Sequence, residues 1–214
     1  MAADTSTLAD LLDRIGRGRW LPSDGGVRVV PPPSPRSHAV LGFTAHHVIV
    51  TDVEEAWIRA QLEPGDLSAP LNPPFLTALG ARTGRRTNNI DLVAVAPWLP
   101  GPPELPLTET AVTDHPRVAR ALRYRDDVRV WTTGGGVLIL SRGLAGRLEL
   151  ALEVDELARG RGLGRALVTA ARHLVPEGAV LWAQVAPGNA ASVRAILAAG
   201  FVPVGAEALL VPAA

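Results

Sequence analysis

A chain of 214 residues with 47% hydrophobic and 20% charged residues can bury a substantial core, which excludes a disordered or fibrous protein. Its 21 basic residues, all arginine, balance 21 acidic ones, so no overall charge draws the chain to nucleic acid or to a membrane surface. There is no cysteine, which removes disulfides, thiolate metal sites and a cysteine nucleophile.

The N-terminal stretch carries Asp4, Asp10 and Asp13 without the apolar run of a signal peptide, and no segment reaches the roughly 18 apolar residues of a membrane span. The expected location is the cytoplasm. Ser6 or Thr5 is placed to cap a helix with apolar positions Leu8, Leu11, Leu12 and Ile15, ending near Gly16 or Gly18. Trp20 to Pro22 and the proline run 31–35 read as irregular chain. Residues 39–50 have the composition of one strand, and Thr51 or Asp52 caps a helix to about residue 62. His46 and His47 are adjacent on that strand, so they point to opposite faces and do not share a metal ion. Asn72 with Pro73 and Pro74 starts a further helix and Gly80 stops it. Residues 82–89 read as a basic loop holding Arg82, Arg85 and Arg86, and 90–96 as a strand.

Residues 97–106 contain five prolines and mark the expected boundary. The division is an N-terminal α/β segment, 1–100, of no assigned role, and a second domain, 105–214. The first segment either completes the second domain's sheet or forms a separate lid. Asp114 caps a helix through Tyr124 with Val118, Ala121 and Leu122 on its buried side. Residues 128–132 and 137–141 flank three glycines and read as a hairpin.

The stretch 148–168 carries the strongest signal. Glu149, Ala151 and Glu153 alternate with Leu148, Leu150, Leu152 and Val154, the period-two pattern of a strand. From Leu163 the apolar positions Leu163, Ala166, Leu167, Ala170, Ala171 and Leu174 follow a helical period. Between the two lies Arg159-Gly160-Arg161-Gly162-Leu163-Gly164-Arg165. The first turn of a helix has free backbone N–H groups and the positive end of the dipole, so this turn suits a pyrophosphate. A dinucleotide fingerprint fails because Arg165 and Leu167 stand where its third glycine belongs, and a Walker loop fails for want of any lysine.

The turn resembles the acyl-CoA loop of the GNAT acetyltransferase superfamily, whose pattern Arg/Gln-x-x-Gly-x-Gly/Ala is met by Arg159, Gly162 and Gly164. The strand 180–185, the segment from Asn189 to Ala199 and the pair Gly200-Phe201 resemble that family's next strand, helix and strand entry, in order. The resemblance spans about residues 105–214. It implies an α/β fold, a mixed and mostly antiparallel central sheet flanked by helices, here with an N-terminal α/β extension.

The resemblance also implies roles. The turn Arg159, Gly160, Arg161, Gly162, Leu163, Gly164 and Arg165 would hold the pyrophosphate of acetyl-CoA, and the backbone of Leu152 and Val154 would pair with its pantetheine arm. Asn189 and Ser192 would touch cofactor or strand, the alternative for both being helix capping. An amine acceptor must lose a proton before it attacks a thioester, so Glu149 or Glu153 is the candidate base. The alternative is that these carboxylates pair with arginines such as Arg129 or Arg147. A backbone N–H near Val154 is placed for the oxyanion. The family's frequent general acid, a tyrosine seven residues after the asparagine, is replaced by Ile196. Tyr124, the chain's only tyrosine, is then a candidate that would have to arrive from another element, with Ser192 or water as alternatives, and its alternative role is packing at a helix end.

The expected activity is transfer of an acyl group, most simply acetyl, directly from acyl-CoA to a small-molecule amine in a ternary complex, without a metal and without nucleic acid or membrane as partner. The rival is a CoA-binding sensor or partner module without catalysis. No pattern of a metallohydrolase or serine hydrolase is present.

Overall fold

The computed structural model describes residues 6–111 and 114–213. Two compact units emerge. One runs up to Val93 and resumes at Val204, and the other is Ala94–Pro203. They divide the chain at different residues from the segments 1–100 and 105–214 drawn on the sequence.

The first unit opens with helix α1 (Leu8–Gly16), whose buried residues are Leu8, Leu11, Leu12 and Ile15, the stripe the sequence predicts. Its cap is Thr7, one residue beyond the expected Ser6; Thr5 and Asp4 lie outside the described residues. Thr7 Oγ1 accepts from the Asp10 N–H at 3.2 Å while Asp10 Oδ2 accepts from the Thr7 N–H at 3.0 Å, a reciprocal capping box. Strand β1 (Val27–Val30), which the sequence reading passed over, pairs in parallel with β3 (His46–Val50).

The single strand expected over 39–50 is two, β2 (His38–Phe43) and β3, joined as an antiparallel hairpin. Its turn places Thr44 at φ 31° and Ala45 at φ 58°. Two-residue hairpin turns of this kind are usually announced by Asn or Gly, and neither is present. Helix α2 (Glu55–Ala60) starts at Glu54 rather than at Thr51 or Asp52, because Thr51 still donates its N–H to Val30 O and extends the sheet.

Helix α3 (Pro73–Thr83) begins at Asn72 as expected but runs past Gly80 to Gly84 at φ 66°. Gly80 serves packing instead: a Cβ there would lie 2.7 Å from Arg85 O. Strand β4 (Arg85–Pro97) starts at once, so most of the expected basic loop is strand. The last strand, β10 (Val202–Pro212), returns antiparallel to β2, and the strand order in this unit is β1-β3-β2-β10-β4. Its core holds Val40, Ile49, Ile58, Phe75, Leu76, Leu79, Ala208 and Leu210.

The second unit contains the end of β4, β5 (Thr108–Thr110), α4 (Pro116–Tyr124), β6 (Asp126–Thr133), β7 (Gly136–Arg142), β8 (Leu148–Val154), α5 (Leu163–Leu174), β9 (Val180–Val185) and α6 (Ala190–Ala198). The strand order is β4-β9-β8-β7-β6-β5. Pairs β5/β6, β6/β7 and β7/β8 are antiparallel and β8/β9 is parallel, giving the mixed, mostly antiparallel sheet that the family resemblance implies. Strand β4, which begins in the N-terminal segment, is the sheet neighbour of β9.

Alternation along β8 divides the packing. Leu150 faces a core with Leu138, Leu140, Leu167, Val168, Ala171, Leu181, Ile196 and Phe201, whereas Ala151 faces Val118, Ala121, Val130 and Ile139 beneath α4. A fully buried residue such as Leu167 contributes about 2 kcal/mol to this core. The cap of α4 is His115, not Asp114: its Nδ1 accepts from the Arg117 N–H at 3.2 Å. Leu122, expected inside, is half exposed because Val118 and Ala121 already fill the stripe. The proline-rich stretch is packed into this unit, with Trp98 N bonded to Ala179 O and Leu99 N to Arg172 O.

Candidate functional site

Strand β8 pairs with β7 over its whole length, but its ladder to β9 comprises only Leu148↔Leu181 and Glu149↔Trp182. The phase of the first ladder decides what the remaining residues offer. The Asp155 N–H donates to Gly135 O at 2.9 Å, in register with Val154↔Gly136. In an antiparallel pair, backbone groups alternate between facing the neighbour and facing away. Residues 149, 151, 153 and 155 therefore point their N–H and C=O at β7, and Leu150, Leu152 and Val154 point theirs to the β9 side. Past Glu149 that side is an open edge. One of its groups is engaged locally: Arg159 Nε donates to Val154 O at 3.1 Å.

The arginine–glycine turn lies at the end of this edge. After a 3₁₀ turn over Glu156–Ala158, Gly160 has φ 75° and Gly162, the N-cap of α5, has φ 83°. A Cβ at either glycine would meet nothing within 4 Å, so the requirement for glycine there is conformational. No side chain caps α5, and its first turn holds no acidic residue. Its first internal bond is Ala166 N to Gly162 O, which leaves the N–H groups of Leu163, Gly164 and Arg165 without an acceptor in the helix. Arg159, Arg161 and Arg165 are exposed around them. A Cβ on Gly164 would lie 3.8 Å from Val154 Cγ2 and 3.9 Å from Ala195 Cβ, so this turn touches both β8 and α6.

Two glycines that the sequence assigns only to a hairpin also belong here. A Cβ on Gly135 would approach Ala158 Cβ to 2.7 Å, and one on Gly136 would approach Leu167 Cδ1 to 2.8 Å. The β6–β7 turn therefore supports the loop that enters α5. The available signal was a run of three glycines where a two-residue turn needs fewer.

The two candidate carboxylates lie in different environments, roughly 13 Å apart along one strand face. Glu149 is 2% exposed. Its Oε1 accepts from Arg147 Nε at 2.7 Å, Gln184 Nε2 at 2.9 Å and Leu144 N at 3.3 Å, and its Oε2 lies 3.0 Å from Arg125 Nε. The Arg147 guanidinium rests over the Trp182 ring, 4.9 Å from its centre. Gly143 admits the carboxylate, because a Cβ there would fall 2.1 Å from Glu149 Cδ. Burial alone would raise this carboxyl's pKa, but the charges of Arg147 and Arg125 and the bonds from Arg147 and Leu144 N outweigh it and hold it below the ordinary glutamate value. Of the alternatives foreseen, pairing with Arg147 is present; Arg129 pairs with Glu109 instead.

Glu153 has a side chain 40% exposed, 3.0 Å from Arg117 Nε. The hydrogen bond from Arg117 lowers its pKa most, with partial burial opposing and the charges of Arg117, His115 and Arg159 assisting. Tyr124 ends α4 with its ring under Arg123 at 5.3 Å and Arg120 at 5.6 Å. Asn189 Oδ1 caps α6 by accepting from the Ser192 N–H at 3.1 Å. Ile196 is 2% exposed in the core beneath β8.

An open strand edge runs into an uncapped, arginine-rich helix start, which brings backbone hydrogen-bonding groups and positive charge together. Residues 122–201 match the family model described as the acetyltransferase (GNAT) family. Among solved structures, the chain is similar to a GCN5-related N-acetyltransferase from Kribbella flavida, with 15% identity and a TM-score of 0.43, covering 66% of this chain and 65% of that one. It is also similar to a GCN5-related N-acetyltransferase from Sphaerobacter thermophilus, with 16% identity and a TM-score of 0.39, covering 64% of this chain and 55% of that one. The chain thus spans less than two thirds of the length of either. No curated protein matches the sequence. Among the described residues no helix is long and apolar enough to cross a membrane, and no group of three or more His, Asp or Glu side chains is arranged to hold a metal ion.

Proposed function

We propose that the chain is a cytoplasmic acyl-CoA-dependent N-acyltransferase, with acetyl-CoA as donor and a small-molecule amine as acceptor. The observation that carries the proposal is the open edge of β8 at Leu152 and Val154, which ends at the uncapped start of α5. Leu152 and Val154 would pair with the amides of the pantetheine arm, and the N–H groups of Leu163, Gly164 and Arg165 with Arg159, Arg161 and Arg165 would hold the diphosphate. Gly160 and Gly162 give the backbone its left-handed turns, and Ser192 would face the pantetheine arm. Asn189 acts as the cap of α6.

Acyl-CoA supplies an acyl group activated as a thioester. The chain's part is to bind the acceptor amine beside it and to move protons. Glu153, the accessible carboxylate, takes a proton from the acceptor nitrogen as the N–C bond forms and the C–S bond breaks, and the thiol leaves with a proton from solvent or from Tyr124. Glu149, whose oxygens are already engaged by two arginines, a glutamine and a backbone N–H, holds β8 to β9 where their ladder ends. The backbone N–H of Val154, on the open side of β8, would face the thioester carbonyl.

Calorimetric titration with acetyl-CoA tests the cofactor site, and thiol release against a panel of amines tests transfer. Binding that Gly162→Trp and Arg159→Glu abolish supports the site; absence of binding by the unaltered protein refutes it. A second reading, a CoA-binding module without turnover, is favoured by Ile196 in the core at the family's acid position and by the arginine partners of both carboxylates. Binding without thiol release for any amine, unaffected by Glu153→Gln, selects it.

A further inference from the structure

In the first unit, four of the buried side-chain polar atoms without a hydrogen-bond partner among the described residues lie at three neighbouring residues, while the buried Glu207 stands on the opposite face of β10. They are His38 Nδ1, Arg85 Nε, Arg85 Nη1 and Thr87 Oγ1. The topology explains the collection. Leu210 of β10 stands opposite His38 of β2. Ala213, just past β10, donates its N–H to Gly84 O, just before β4, so these neighbouring strands overlap only if they run antiparallel. Counting back from that bond sets Leu210 opposite Thr87. His38, Leu210 and Thr87 thus form one row across three strands, on one face, and Arg85 follows on that face two residues before Thr87.

Leu210 belongs to the apolar core, so the polar members of the row border a dry region. His38 is 5% exposed. Burial and the nearby Arg85 charge lower its pKa, against a smaller opposing effect of Asp52. The guanidinium of Arg85 donates from Nη2 to Pro35 O at 2.6 Å, and no acidic side chain of the described residues pairs with it. Its neighbour in the sequence knot, Arg82, by contrast reaches Glu54 at 3.6 Å.

A buried polar atom left unsatisfied costs the free energy of its lost hydration, and more when charged. Four at one place are a substantial burden for a unit whose remaining core is apolar. The chemistry of the set is one-sided: Arg85 can only donate, Thr87 can donate through its hydroxyl, and neutral or charged imidazole can donate from Nδ1. Only a group rich in acceptors and carrying negative charge answers all four. We infer that His38, Arg85 and Thr87 form a binding site for a small oxyanion, a carboxylate or phosphate group, in the N-terminal unit. The inference does not depend on acyl transfer.

The test follows the His38 ring resonances by NMR in the full chain, assigned with His38→Gln, during separate titrations with inorganic phosphate and with acetate at constant ionic strength. This reporter belongs to the N-terminal unit and the Arg159–Arg165 turn to the other. A saturable shift with either anion, weakened about tenfold or more in Arg85→Gln and also weakened in Thr87→Val, supports the site. Resonances that stay fixed in both titrations overturn it in favour of ordered water as the partner. An equal shift in wild type and in folded Arg85→Gln overturns it too, and Thr87→Val gives the same decision if Arg85→Gln does not fold.

Discussion

Replacing Glu149 by glutamine should damage the fold, whereas the same change at Glu153 should damage only the chemistry. Glu149→Gln keeps the volume but leaves Arg147, whose side chain is 3% exposed, and Arg125, 18% exposed, without their shared counter-charge. Removing one partner of a buried ion cluster costs about 3–5 kcal/mol, because the remaining charge is stranded. For a chain of this size each kcal/mol lowers Tm by about 2–4 °C, so a fall of roughly 6–20 °C is expected. The exposed Glu153–Arg117 pair is worth about 0.2–1 kcal/mol, and Glu153→Gln should leave Tm almost unchanged while reducing kcat. Thermal and urea unfolding of both variants, with thiol-release kinetics, separates the two. Glu149 is held below its ordinary pKa in the folded state, so its stabilisation is fully present above about pH 4.3 and is lost as pH falls further towards the folded value. A Glu149→Gln protein as stable as wild type at pH 7, with an unchanged acid limb, would refute the reasoning.

Gly136→Val should cost about 1–3 kcal/mol in urea unfolding, because its Cβ meets Leu167 at 2.8 Å in a packed core. Ile196→Tyr, which restores the family's residue at that position, should lower Tm without raising kcat, since the side chain there is enclosed by Leu167, Val168 and Ala171. Thr7→Ala removes one half of the α1 capping box and should cost about 0.5–2 kcal/mol, read from the urea midpoint.

The parts of the site that depend on local pattern were legible. Period two along 148–154, the change of period at Leu163 and the spacing of Arg159, Gly162 and Gly164 are properties of neighbours in sequence, and they gave β8, the turn and α5 almost to the residue. What depends on distant partners was not. Nothing near Glu149 announces Arg125 or Gln184, which approach from 24 residues before and 35 after it. The open edge at Leu152 and Val154 came only from the family resemblance, since it depends on where β9 stops pairing. Local signals misled where geometry was carried by unexpected residues: Thr44 and Ala45 in left-handed conformation hide a hairpin, and Gly80 packs a helix on a strand rather than ending it.

The bond from Arg159 Nε to Val154 O makes the strand edge and the arginine–glycine turn share one side chain. An amide that donates to the Val154 carbonyl competes with this guanidinium for the same oxygen. A fragment carrying only the amide arm weakens the bond and returns nothing to the arginine. A ligand that also carries a diphosphate offers it a new and stronger partner. The two halves of such a ligand should therefore bind together with more affinity than their separate affinities and the tether between them account for, and Arg159→Ala should remove that surplus.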